Sequence, residues 1–184
     1  PEFSGQKRWG AKQVHEQVCD NCLIVDVRSK ESFASAHIPN AINIPVGNNL
    51  PTWAGWVLPY DRPILLIAED SSQVDSVVAN LLRVGFDNVQ GYLEGGIGSW
   101  ETAGFSLAML NTMSVHDLDK KRKSEKQLTI LDVRTYKEWN EGHIEGAMHI
   151  HGGTLQNRVE EISKDKPVAV VCGSGYRASI ASSF

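Results

Sequence analysis

Ile24-Val25-Asp26-Val27-Arg28 recurs, without a gap, as Ile130-Leu131-Asp132-Val133-Arg134. The match continues from His37-Ile38, Ala41 and Ile44 to His143-Ile144, Ala147 and Ile150. So ordered a set of identities marks an internal repeat. Each copy opens on a short apolar, β-branched run of the kind buried in a parallel sheet. Strands alternating with helical segments then imply an α/β fold, each copy a mainly parallel sheet with helices on both faces. Two domains are expected, 4–106 and 111–184, with the join near Ser106 to Asn111. Pro1-Glu2-Phe3 reads as residues left by cloning.

In the first copy the pattern predicts a helix over Lys12–Val18 and a strand over Leu23–Val27. Ser29 caps a helix reaching Ala36, and Ala41–Ile44 is the next strand. Asn48–Asp61 reads as a long connection carrying Trp53-Ala54-Gly55-Trp56. Ile64–Ala68 is a strand. Val74, Val77, Val78, Leu81 and Leu82 then mark one face of a helix that Gly85 ends. Asn88–Tyr92 makes a last strand before a closing helix at Gly95–Trp100. In the second copy Ser114 starts a helix, Thr135-Tyr136-Lys137-Glu138 is a capping box, and Gly142 ends that helix. Phe184 aligns with Asn80, so nothing matches Leu81 to Gly104. The second domain is therefore expected to lack its C-terminal strand and helix. The expectation is one of three outcomes: a longer natural chain, a gap filled by another chain in an oligomer or swapped dimer, or a poorly ordered site of low activity.

Composition excludes several classes. The 184 residues are 41% hydrophobic and 22% charged, with a net charge of −4, as in an ordinary globular protein. That charge does not favour nucleic acid or an acidic membrane, and the basic run Lys120–Lys126 reads as a wet surface. No apolar run approaches a membrane span and no signal peptide is visible, so a cytoplasmic setting is expected. Three cysteines do not make a disulfide framework. Cys19-Asp20-Asn21-Cys22 has redox-motif spacing, but the single pair precedes a strand and receives no redox or metal role. His149-Ile150-His151 lacks a nearby third ligand, and neither metal nor cofactor is expected.

Chemistry concentrates in Val168-Ala169-Val170-Val171-Cys172-Gly173-Ser174-Gly175-Tyr176-Arg177. A strand delivers Cys172 into a glycine-rich loop before a helix, where loop amides and the helix dipole favour a thiolate and an anion beside it. Arg177 is placed to hold a negatively charged substrate. A plain strand end with a buried cysteine needs neither the glycines nor the arginine.

The Cys172-x-x-Gly175-x-Arg177 pattern after a valine-rich strand resembles the active loop of rhodanese-family sulfurtransferases. Asp132-Val133-Arg134, Gly142-His143-Ile144 and Leu93-Glu94-Gly95-Gly96 resemble further hallmarks. Cysteine-dependent phosphatases carry one more residue in that loop and favour His where Val171 stands, so sulfur transfer fits better. The tandem arrangement with the Trp53-Ala54-Gly55-Trp56 insertion resembles the C-terminal half of fusions between a metallo-β-lactamase-fold persulfide dioxygenase and rhodanese domains. The resemblance implies Cys172 as nucleophile, with Gly173, Ser174, Gly175, Tyr176 and Arg177 binding substrate. Asp132 and Arg134 would brace the loop, and His143 would be a structural loop histidine. Its implied partners are small sulfur anions, low-molecular-weight persulfides and thiols, and a fused or associated dioxygenase. The first copy has Ala68, Glu69 and Asp70 at the corresponding loop and Gln73 in place of Arg177, so it is expected to be inactive.

Overall fold

The computed structural model describes residues 5–19, 22–125 and 127–184, apart from the side chains of 17–19. Of the spaced pair Cys19–Cys22, the Cys19 side chain therefore lies outside the described residues, as does the whole of the stretch Pro1-Glu2-Phe3. Two compact units result, one running to Leu110 and the other from Asn111.

Unit 1 contains β1 (Arg8–Trp9), α1 (Ala11–Cys19), β2 (Leu23–Asp26), α2 (Lys30–Ser35), β3 (Ile42–Asn43), α3 (Leu50–Val57), β4 (Ile64–Ile67), α4 (Val74–Arg83), β5 (Val89–Leu93) and α5 (Gly96–Thr102). Its sheet is parallel throughout, in the order β1-β5-β4-β2-β3. β2 and β4 lie at its centre and every residue of both is buried, which is why they read as continuous apolar runs rather than alternating ones. Ile24, Leu65, Ile67, Phe33, Val14 and Trp100 join one core cluster. The segment after α5 stays with this unit: His37 and Ala108 exchange backbone hydrogen bonds, and the Leu110 amide donates to Ala34.

Two elements of unit 1 were not legible. The stretch expected to be a connection, Asn48–Asp61, contains α3, with a proline in its first turn. Its buried residues Leu50, Trp53, Ala54 and Val57 fall at i, i+3, i+4 and i+7, a helical stripe that the prolines and glycines around it disguised. β1 is two residues long and exists because its backbone pairs with β5, a non-local cause with no local pattern.

Unit 2 contains α6 (Val115–Ser124), β6 (Thr129–Asp132), α7 (Tyr136–Glu141), β7 (Met148–His149), β8 (Val168–Val171) and α8 (Tyr176–Ala181), with 3₁₀ turns over Gly152–Asn157 and Val159–Glu161. Its sheet is parallel in the order β7-β6-β8. Register repeats between the units. Leu23 pairs with Ile64 and Asp26 with Ile67; Thr129 pairs with Val168 and Asp132 with Val171. In each unit a proline carbonyl starts the pairing, Pro63 accepting from Leu23 and Pro167 from Thr129. β4, however, is flanked by β5 on its far side, whereas β8 is an edge among the described strands, and its residues are exposed or half-buried. Leu131, Val133, Ile150, Leu155 and Ala181 form the smaller core beneath it, with Val170 and Cys172 packed against them.

Candidate active site

Cys172 leaves the end of β8 half-buried, and the chain turns there because Gly175 adopts a left-handed conformation (φ 84°) immediately before α8. A Cβ-bearing residue would be strained at that position. The turn aims two backbone N–H groups at the thiol: Gly175 donates to Cys172 Sγ at 3.1 Å and Ala178 at 3.3 Å. Donors placed this way favour an acceptor sulfur with excess electron density, and the same amides remain available to a sulfur attached to it. The amide of Ala178 lies one residue past the loop that the Cys-to-Arg pattern delimits, so the pattern did not reach it.

Arg177 closes the loop in a manner the sequence left hidden. Its two terminal nitrogens donate to both oxygens of Glu138, Nη1 to Oε2 at 2.6 Å and Nη2 to Oε1 at 2.7 Å. Glu138 is also the capping-box residue of α7. Its Oε2 accepts from the Thr135 amide at 3.0 Å and from the Thr135 hydroxyl at 2.7 Å, while Thr135 Oγ1 accepts from the Glu138 amide. The Arg177 pair, then the Thr135 side chain and amide, hold the Glu138 carboxyl well below the usual carboxylate range. Arg177 is raised chiefly by Glu138, with the nearby Cys172 adding to the effect. Capping explained Glu138 locally, so nothing in the sequence signalled that it also spans 39 residues to Arg177.

Asp132 and Arg134 form a second fork. Arg134 Nε donates to both carboxylate oxygens at 3.0 Å and Nη2 to Oδ2 at 2.6 Å. The remaining reach of Nη2 ends on the Gly142 carbonyl at 2.8 Å, which ties the end of β6 to the end of α7. Burial opposes ionisation of Asp132, but the hydrogen bonds and charge of Arg134 win and its carboxyl is lowered. His149 Nε2 pairs with the Arg134 carbonyl at 2.8 Å, and its ring stacks on Trp139. His143 stacks on the same indole, 3.6 Å between centroids, with Nδ1 paired to the Trp139 carbonyl at 3.0 Å. His151 is pushed down by burial, then by His149 and Arg177. Gly173 and Ser174 are exposed, while burial pushes the half-buried Tyr176 phenol up to about 12. Among the described residues no group of three or more His, Cys, Asp or Glu side chains could hold a metal ion.

Unit 1 carries the same scaffold without the thiol. Arg28 grips Asp26 by the same fork, with Nη2 to Oδ2 at 2.6 Å, and its reach ends on the Ala36 carbonyl. Phe33 and His37 stack at 3.9 Å, with His37 Nδ1 paired to the Phe33 carbonyl, as Trp139 and His143 do. After β4, however, Ala68 replaces the thiol, and Asp70 Oδ1 accepts from the Ser72 amide at 2.9 Å at the start of a 3₁₀ turn. The other described thiol, Cys22, is buried. It donates to the Pro63 carbonyl at 3.3 Å, and desolvation raises it although Arg62 opposes.

The model of the rhodanese-like domain family matches residues 10–103 and again 114–184. The putative sulfur carrier protein YrkF of Bacillus subtilis is 33% identical over 69 residues, which cover 38% of this chain and 37% of that protein. The putative sulfurtransferase YtwF of the same organism is 33% identical over 69 residues and 67% of its length is covered. Thiosulfate sulfurtransferase GlpE of Shewanella oneidensis is 29% identical over 78 residues, or 42% of this chain and 76% of that protein. This chain thus spans little more than a third of YrkF. Among solved structures, the 3-mercaptopyruvate sulfurtransferase SseA of Escherichia coli superposes with a TM-score of 0.48 at 19% identity. It covers 96% of this chain and 91% of its own.

Proposed function

Starting from the fact that the chain belongs to the rhodanese-like domain family, we propose that unit 2 is a sulfurtransferase that carries a sulfane sulfur on Cys172. The observation that carries this reading is the pair of backbone donors, Gly175 and Ala178, converging on Cys172 Sγ beside Arg177. The thiolate attacks the outer sulfur of a donor. With thiosulfate, the new Cys172 S–S bond forms as the sulfur–sulfite bond breaks, and sulfite leaves with its electron pair. With a persulfide, the departing group is the carrier thiolate. The Cys172 persulfide, held by the two amides, then gives its outer sulfur to an acceptor thiolate or to cyanide, which leaves as thiocyanate. No external oxidant or resident cofactor enters this balance. Asp132 and Arg134 act at a distance by fixing the strand end from which the loop departs.

Unit 1 serves as a non-catalytic domain, because neither a nucleophile nor a guanidinium stands at its loop. The tandem arrangement and the Trp53-Ala54-Gly55-Trp56 insertion support a place beside an oxygenase that handles persulfides, either fused or associated. The competing reading is an interaction or regulatory module with feeble catalysis. Thiocyanate formation from thiosulfate, or from a persulfide, and cyanide separates the two. Turnover that disappears in Cys172→Ala supports the sulfurtransferase; equal background rates in both proteins support the module.

A further inference from the structure

We infer that Glu138 is a specificity-determining residue that neutralises Arg177 and so biases the Cys172 site toward sulfur donors on uncharged carriers and against multiply anionic ones such as thiosulfate. The inference rests on the sulfur-transfer reading above and refines its substrate class.

The geometry is a charge count at close range. Arg177 faces Cys172, and both of its terminal nitrogens lie on the two oxygens of Glu138 at 2.6 and 2.7 Å. The pair lies against the loop itself: a Cβ built on Gly173 would meet Arg177 Nη2 at 3.3 Å and Glu138 Oε1 at 3.9 Å. Arg134, the neighbouring guanidinium, is committed to Asp132. The nearby imidazole of His151 is biased toward its neutral form, chiefly by burial, so it supplies no compensating charge. A donor entering this loop therefore meets two ion pairs, with no net positive charge to receive a dianion. N–H groups of Arg177 that do not point at Glu138 can still donate to a donor's leaving sulfur, so the loop offers hydrogen bonds without a surplus charge. An unpaired arginine here would favour sulfonate and carboxylate donors; the paired one does not. Thr135 fixes Glu138 from behind through its amide and hydroxyl, so the carboxylate is not free to swing away when an anion arrives.

The test uses two persulfides with similar sulfur chemistry but different carriers: that of 2-mercaptoethanol, which is uncharged, and that of mercaptosuccinate, which bears two carboxylates. The readout is kcat/KM for thiocyanate formation, split into kcat and KM. Wild type should prefer the uncharged carrier by about tenfold, the scale of one charge–charge interaction in a partly wet site, with the difference in KM. Glu138→Gln preserves the capping box and should bring the two donors to near parity, read as the ratio of their kcat/KM values. Arg177→Gln, which leaves the carboxylate uncompensated, should widen the preference. It keeps the idea testable if the first variant does not fold. No preference in wild type overturns the inference, as does a preference that a folded Glu138→Gln protein retains or that Arg177→Gln leaves unchanged. A different result, absence of any added sulfur on Cys172 with either donor, would instead sink the sulfurtransferase reading on which the inference stands.

Discussion

The junction after β4 and the junction after β8 are one structural device with two contents. Both follow a parallel strand paired in the same register, and both are flanked by an Asp–Arg fork and a histidine stacked on an aromatic ring. They differ in what accepts from the turn's amides. After β8 two N–H groups converge on a cysteine sulfur; after β4 a backbone N–H is already satisfied by Asp70. The amide of Val74, aligned with Ala178, donates to the Ser71 carbonyl and so does not turn toward the end of β4. The scaffold is thus separable from the proposed chemistry, which is assigned to Cys172, Gly175 and Arg177, the last paired with the distant Glu138.

The sharpest way to break that comparison is to exchange the nucleophiles. Cys172→Ala should lower thiocyanate formation by about a thousandfold or more, to background. Adding Ala68→Cys to that variant should recover nothing, because the Val74 amide, aligned with that of Ala178, is held by the Ser71 carbonyl and Gln73 stands where Arg177 would be. Recovery would mean that the loop contents are interchangeable.

A second comparison separates the two forks by burial. Asp26 is fully buried and Arg28 nearly so, whereas the Arg134 side chain keeps 23% of its exposure. Asp26→Ala leaves a guanidinium stranded in the interior and should cost unit 1 about 3–5 kcal/mol. Asp132→Ala should cost unit 2 less, about 1–3 kcal/mol, because water reaches the freed Arg134. Denaturant unfolding of each variant checks the order, and equal losses would show that exposure does not govern these pairs.

The smallest effects are in pH. Glu138 is depressed by Arg177 and Thr135, so its contribution to stability is complete above the ordinary glutamate range and declines as pH falls toward its folded value. Glu138→Gln should flatten the acid limb of the unfolding curve. Tyr176 moves the other way: burial raises its phenol to about 12, so its contribution is intact below the ordinary tyrosine value near 10 and fades as pH rises through 12. Tyr176→Phe should remove that alkaline loss, which the unit 1 loop, with Ser72 at the aligned position, does not share. A Tyr176→Phe protein with an unchanged alkaline limb would show that the phenol is not desolvated.

Much of this architecture is legible in the sequence because its determinants are local or repeated. The Asp26-Val27-Arg28 and Asp132-Val133-Arg134 runs, the capping residues Ser29, Ser114 and Thr135, and the stripe Val74–Leu82 each announce themselves. The exceptions have physical causes. The stripe of α3 is interrupted by Pro51 and Gly55, β1 depends on a partner about 80 residues away, and the Glu138–Arg177 pair joins a residue whose role capping had already explained. Cys172 was visible as a nucleophile candidate, but which amides reach its sulfur depends on the turn geometry at Gly175, which spacing alone does not specify.

The most direct test of a working loop in unit 2 and a silent one in unit 1 is to locate the sulfur after reaction. The protein is incubated with thiosulfate and, separately, with a low-molecular-weight persulfide, stripped of donor, and mapped by peptide mass spectrometry. One added sulfur on Cys172, removable by cyanide and absent from Cys172→Ala, is the result predicted here. Sulfur on Cys19 or Cys22 instead, or label that survives Cys172→Ala, would contradict the assignment of the Cys172 loop as the sulfur-carrying site.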